Sequence, residues 1–176
     1  MSKSVRFASK DALRLVICGM LIALDVVLTR FVSLNLWDRR IGFSFVAVAL
    51  AAYLYGPIGG AVVHGLADLI GAILVPTGAY FPGFTLTAAV IGLIYGLCFR
   101  RSAGVPRIAL GVVVSQLVCS IALNTLWIAI TNHAPYWALL PGRLIQAGIM
   151  TPVQLIVLPL VLVAFEKGCG SLLQRI

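Results

Sequence analysis

Arg30, Asp68, Asn124, Arg143 and Gln146 stand in or beside long apolar stretches of this sequence. A guanidinium, a carboxylate or an amide in such surroundings is costly unless it meets a partner, so each marks a place where something polar is held. The chemistry on offer is recognition. Arginine forks match carboxylates, while Asp and Asn present acceptors and donors to the edge of a ring. Catalysis is poorly served. The acids are Asp11, Asp25, Asp38, Asp68 and Glu166, with no close pair for acid–base work. The sequence has no H-E-x-x-H, no G-x-S-x-G and no G-x-x-x-x-G-K-[ST], so neither a hydrolytic site nor an ATP phosphate cradle is expected. The chain is read as a non-enzyme with no cofactor and no metal site, and uphill movement of a ligand would draw its energy from elsewhere.

Composition says what holds these groups. Of 176 residues, 61% are hydrophobic and 10% charged, with mean hydropathy +1.09. A water-soluble domain of this size could not hide that much apolar surface, so the chain is expected to be one integral membrane domain over residues 1–176. Cys18, Cys98, Cys119 and Cys169 are widely spaced and are read as packing residues. Lys3, Arg6, Lys10 and Arg14 precede an apolar run that reaches about Phe31. That run is too long for a signal-peptide core and lacks a small-x-small site, so it is read as a retained first span.

A span needs about 20 apolar residues as helix. Pro, Gly and charge clusters divide the chain into six such pieces, near 12–33, 41–55, 57–75, 83–100, 106–131 and 141–165, with a tight turn at Gly56-Pro57. An even count puts both termini on one side. That side collects Lys3, Arg6, Lys10, Arg14, Arg100, Arg101, Arg107, Lys167 and Arg175, and the other takes Arg30, Arg39, Arg40 and Arg143. The excess assigns the termini to the cytoplasm. The formal charge of +8 then anchors the chain at the lipid surface, and no nucleic-acid partner is expected. Cytoplasmic connections are short and basic. The outward ones, 33–43, 75–84 and 131–141, are rich in aromatics, and function is expected to face outward.

Several polar groups fall at one depth. With 1.5 Å of rise per residue, Asp68 lies roughly 9 Å below the outer end of its span, Asn124 about as deep, Arg143 roughly 3 Å and Gln146 roughly 8 Å. Arg30 sits near the outer end of the first span. Converging polar groups with aromatics around them make a ligand pocket. Phe84, with Thr85 beside it, and Trp127, one turn beyond Asn124, are suited to supply stacking faces. Trp37, Tyr80, Phe81, Tyr136 and Trp137 are candidates for a cover, the alternative being an interfacial aromatic belt. For Arg30, Asp68 and Arg143 the alternative is a structural salt bridge. His64, one turn before Asp68, is expected to hold its carboxylate. Asp25 fits the outer belt poorly; an inter-helix hydrogen bond is one role open to it, and the sequence leaves it unassigned.

Small residues recur at four-residue spacing: Ala88, Gly92 and Gly96 in the fourth span, Ala67 and Gly71 in the third, Gly19 and Ala23 in the first. The first two sets read as internal packing. The first-span pair fits internal packing equally well by spacing alone.

Six spans in a chain of this length, a small-xxx-small first helix and the stretches "VVLTRF", "IGFSFVAVALAAYLYGPIGGAVVHGLADLIGAIL", "PTGAYFPGFTLTAAVIGLIYG", "LNTLWIAI" and "YWALLPGRLI" resemble the substrate-binding S components of energy-coupling factor transporters. The similarity runs over about residues 12 to 165 and is nearest the folate-type subfamily. S components for pantothenate or hydroxymethylpyrimidine share the architecture. The resemblance implies an all-α bundle of six transmembrane helices in a prokaryotic cell membrane, with an outward-facing vitamin pocket closed by loops after the first and third helices. It also implies partners: a membrane coupling subunit, docked on Gly19 and Ala23, and two cytosolic ATPases. For a folate, the ring would meet Asp68, Asn124, Trp127 and Phe84, and Tyr80, Phe81, Thr85 and Gln146 are counted among the substrate-binding residues. The carboxylates would meet Arg30, Arg39, Arg40 or Arg143. A stand-alone secondary transporter would show inverted repeats and a mid-membrane ion site, and neither is evident. A lipid-modifying membrane enzyme is weakened by the shortage of acids and nucleophiles.

Overall fold

The computed structural model describes residues 2–36, 39–76, 80–100 and 104–168, with backbone only for 2–10, 34–36 and 39–41. The described chain is six helices and one small hairpin. α1 (Ser2–Arg30) leads to antiparallel strands β1 (Leu34–Leu36) and β2 (Arg39–Ile41), paired Leu34 to Ile41, Asn35 to Arg40 and Leu36 to Arg39. Then come α2 (Ser44–Leu74), α3 (Pro82–Phe99), α4 (Val105–Ser115), a π-helical segment Gln116–Asn124, α5 (Thr125–Thr131) and α6 (Tyr136–Gly168).

Among the described residues five helical stretches are long and apolar enough to cross a membrane. The sequence partition has six, because it divides 41–75 at Gly56-Pro57, where the structure runs one stretch, α2. The stretch is nevertheless broken there: Gly56 has φ 72 and ψ −160, a conformation open mainly to glycine. The two limbs fold against each other. A Cβ placed on Gly60 would lie 3.2 Å from the Ala52 Cβ, whereas eight residues of straight helix span about 12 Å. Ala51 and Val63 likewise share a cluster with Leu21.

The second limb of α2 packs on α3 through glycine. A Cβ on Gly92 would overlap the carbonyl of Gly60, and one on Gly96 would overlap the backbone of Pro57. The small-residue register of the fourth span is therefore internal packing, as its spacing implies. The main apolar core joins Phe45, Val48, Ala52 and Tyr53 of α2 to Tyr95 and Phe99 of α3, Ile108 and Val112 of α4, and Leu158 and Leu162 of α6. α1 differs. Leu15 and Met20 are largely exposed, Gly19 and Ala23 face outward, and a Cβ on Gly19 would meet nothing within 4 Å. Packing among the described residues therefore does not account for that pair.

Two boundaries move in ways that matter for the site. α6 begins at Tyr136 rather than near 141, since Pro141 costs only one backbone bond close to a helix start. Arg143 thus lies about 10 Å, Gln146 about 15 Å and Gln154 about 27 Å along α6, deeper than the sequence depths. The span expected at 106–131 is not uniform helix: Gln116–Asn124 is π-helical, a form often found at functional sites.

Candidate functional site: a two-tier polar cavity

A cavity of about 500 Å³ enters the bundle where α1, α2 and α5 end and α3 begins. Its mouth is framed by Arg30, Pro76, Tyr80, Thr131 and Asn132, and its far end by Tyr95, Ser115, Gln116 and Gln154. The size suits a drug-sized ligand.

The outer tier is built on arginine. Arg30, the last residue of α1, extends its guanidinium along Gly71, where a Cβ would fall 2.7 Å from Nε. Its Nη2 lies 3.8 Å from Asp68 Oδ1 and donates to the Asp68 carbonyl at 3.4 Å. The other carboxylate oxygen, Oδ2, accepts from Thr85 Oγ1 at 2.8 Å, and the Tyr80 hydroxyl stands 3.2 Å from that Oγ1. One carboxylate thereby ties α1, α2 and α3 together and turns Tyr80 toward the mouth. The pairing matches the salt bridge weighed for Arg30 and Asp68, and both side chains still line the cavity. Across from them, Arg143 Nη1 donates to Gln146 Oε1 at 2.8 Å, one turn along α6. Both are buried, at 5% and 8% exposure. A buried guanidinium in lipid surroundings is tolerated where it meets acceptors, and a cavity ligand is suited to provide them.

Between the tiers, His64 corrects one expectation. It does not hold Asp68. Its Nδ1 lies 2.7 Å from Asp25 Oδ2, and Thr29 Oγ1 donates to Asp25 Oδ1 at 3.2 Å. Asp68 is already engaged by Arg30 and Thr85, while Asp25, fully buried on α1, faces His64 across the helix contact. Asp25 therefore makes an inter-helix hydrogen bond, a role the sequence left unassigned.

The inner tier is made of amides. Gln154 Oε1 accepts from Tyr95 OH at 3.4 Å and from Gln116 Nε2 at 3.3 Å. The π-helical segment contributes Gln116, Ser120 and Asn124 to one wall.

Of the residues the sequence singled out, Arg30, Asp68, Tyr80, Phe84, Asn124, Arg143 and Gln146 line the cavity. Thr85 touches it through Asp68. Phe81 and Trp127 do not line it. Their rings pack together at 5.4 Å, Trp127 Nε1 donates to Thr87 Oγ1 at 2.9 Å, and a Cβ on Gly83 would strike both rings. They form a wedge behind the wall. The side chains of Arg39 and Arg40, and all of Trp37, lie outside the described residues; β2 itself lies against α6. Trp137 is 79% exposed, as an interfacial-belt residue would be. Thr29, Tyr95, Ser115, Gln116, Ser120 and Gln154 were not anticipated. Gln116 and Gln154 carried the same signal as Asn124, an amide in an apolar run.

A bundle of apolar helices around a cavity lined by arginines, amides and hydroxyls is the arrangement of a membrane protein that binds a small polar molecule. The family model for the ECF transporter, substrate-specific component, matches residues 13–162. The chain belongs to that family. Among its relatives, the folate transporter FolT of Clostridium novyi (strain NT) is 36% identical over 141 residues, covering 80% of this chain and 82% of that one. The folate transporter FolT of Leuconostoc mesenteroides subsp. mesenteroides is 33% identical over 156 residues, covering 84% and 83%. A crystal structure of FolT bound with folic acid superposes with TM-score 0.77 at 31% identity, covering 84% of this chain and 91% of that one.

Proposed function

We propose that this chain is the folate-binding subunit of an ECF-type importer, with the cavity as its vitamin site. The observation that carries the reading is the cavity itself: arginines on two helices near the mouth and amides at the far end. Folate has the matching asymmetry, a dicarboxylate tail and a ring edged with donors and acceptors. The folate-transporter relatives and the likeness to a folic-acid-bound FolT support the choice of ligand. In this reading α2 contributes two membrane segments hinged at Gly56, giving six in all. Both termini face the cytoplasm of a prokaryotic cell. Gly19 and Ala23, on the exposed face of α1, receive a membrane coupling subunit, and two partner ATPases hydrolyse ATP. Arg39 and Arg40 are further candidate partners for the carboxylates in this reading.

The test is equilibrium titration of detergent-purified protein with folic acid. Arg143→Ala weakens binding about 10-fold or more, the ~1.5–3 kcal/mol of a charge-assisted hydrogen bond, with the thermal midpoint within a few degrees of wild type. Unchanged affinity in a folded Arg143→Ala protein would remove the arginine from the site. Trp127→Ala behaves the other way. It loses the wedge against Phe81 and Gly83 at a cost of about 3 kcal/mol or more, so the thermal midpoint falls clearly while folic acid affinity changes less than in Arg143→Ala. A Trp127→Ala protein of wild-type stability that binds folic acid poorly would return Trp127 to the pocket as a stacking face.

A further inference from the structure

The inner tier does more than fill space. Gln154, 7% exposed, lines the far end of the cavity with Gln116 and Tyr95. Its Oε1 is already committed to two donors, Tyr95 OH and Gln116 Nε2. With its oxygen held by the Gln116 Nε2 donor and facing the Tyr95 hydroxyl, the amide in this orientation has its Nε2 hydrogens to present to an occupant. Gln116, having given its Nε2 to Gln154, keeps Oε1 as an acceptor beside it. The far end therefore offers a donor next to an acceptor. That pattern pairs with a ring edge carrying a carbonyl next to an N–H.

Along α6, Arg143 and Gln154 are eleven residues apart, about 16 Å. A single-ring ligand would not reach from one to the other, whereas an extended molecule with a ring at one end and carboxylates at the other would engage both.

We propose that Gln154, oriented by Tyr95 and Gln116, is the residue that selects the ring: it admits a 4-oxo pteridine edge at the inner end and rejects the 4-amino edge, while the carboxylates stay at the arginine tier. This rests on the folate reading above and goes beyond it by fixing the direction of insertion and the group being read. A 4-amino ring presents a donor where Gln154 also presents a donor, and an acceptor where Gln116 offers one. Both contacts become mismatched, and unmatched buried polar groups are the strongest source of discrimination between similar ligands.

The experiment titrates detergent-purified protein with folic acid, with its 4-amino analogue aminopterin, and with p-aminobenzoyl-glutamate, which has the tail but no pteridine. Wild type binds folic acid at least about 10-fold more tightly than aminopterin. Gln154→Glu retains an oxygen for Tyr95 and Gln116 and turns the other atom into an acceptor, so the 4-amino group gains a partner while the 4-oxo group loses one, and the preference for folic acid is abolished. Gln154→Met, a neutral change that is safer for folding, brings the two ligands to within a few-fold of each other. Binding of p-aminobenzoyl-glutamate is insensitive to both changes and weakened by Arg143→Ala. If folded Gln154→Met keeps the wild-type ratio of folic acid to aminopterin, the inner tier is helix packing and the proposal fails. It fails too if the Gln154 variants weaken p-aminobenzoyl-glutamate while Arg143→Ala does not, since the ligand would then lie the other way round. If wild type binds none of the three, the folate reading falls first.

Discussion

Gly92→Val is expected to leave little folded protein. At this position α2 and α3 touch backbone to backbone: a Cβ on Gly92 would overlap the Gly60 carbonyl, and the next contact, Gly96 on Pro57, is as close. No flexible side chain can give way, so the helices must separate along the limb that carries His64 and Asp68. Overpacking of ordinary cores costs about 1–3 kcal/mol, and a rigid backbone contact belongs at the top of that range or beyond. At about 2–4 °C per kcal/mol for a chain of this size, the thermal midpoint falls by on the order of 10 °C, and the variant elutes as aggregate in detergent size-exclusion chromatography. Gly19→Leu is the control for bulk alone. Nothing lies within 4 Å of an added Cβ there, and the variant is expected to purify like wild type. A Gly92→Val protein with unaltered thermal midpoint would mean that the α2–α3 contact is not as described.

Gly19→Leu is also expected to separate binding from transport. The sequence has no G-x-x-x-x-G-K-[ST] phosphate cradle, so the protein alone in liposomes binds folic acid and does not concentrate it when ATP is supplied. Addition of the coupling subunit and the ATPases starts ATP-dependent accumulation. With Gly19→Leu in the same complex, accumulation is lost while folic acid affinity is that of wild type, because a bulky side chain blocks close helix approach on a face that is exposed among the described residues. The readouts are radiolabelled folic acid inside the vesicles and equilibrium titration outside them. Normal accumulation by the variant would move the docking face elsewhere. Accumulation by the protein alone under an ion gradient would make it a secondary transporter.

The outer tier was legible because it obeys a one-dimensional rule: a charged or amide group in an apolar run is costly and so must be used. That rule picked out Arg30, Asp68, Asn124, Arg143 and Gln146, and all five line the cavity. The same rule, carried further along the chain, would have reached Gln116 and Gln154. Pairing was harder to read, since it depends on how helices rotate about their axes. His64 and Asp68 share a face of α2, yet Asp25 takes the histidine and Arg30 the carboxylate. Trp127 shows the same limit: one turn from Asn124 in sequence, it points at Thr87 and Phe81 rather than into the cavity. The Gly56 break was visible as Gly-Pro, whereas the π-helical stretch from Gln116 carries no glycine or proline to announce it. The β1–β2 hairpin was hidden too, because no Asn-Gly or Asp-Gly pair stands in the sequence between Leu36 and Arg39.

The central claim is that the cavity holds a folate, and the most direct measurement is mass spectrometry of small molecules that co-purify with the protein from cells grown in rich medium. A folate recovered in near-stoichiometric amount from wild type, and lost from a folded Arg143→Ala protein, is the predicted result. Recovery of a different vitamin, with no binding when folic acid is added to the emptied protein, would contradict it.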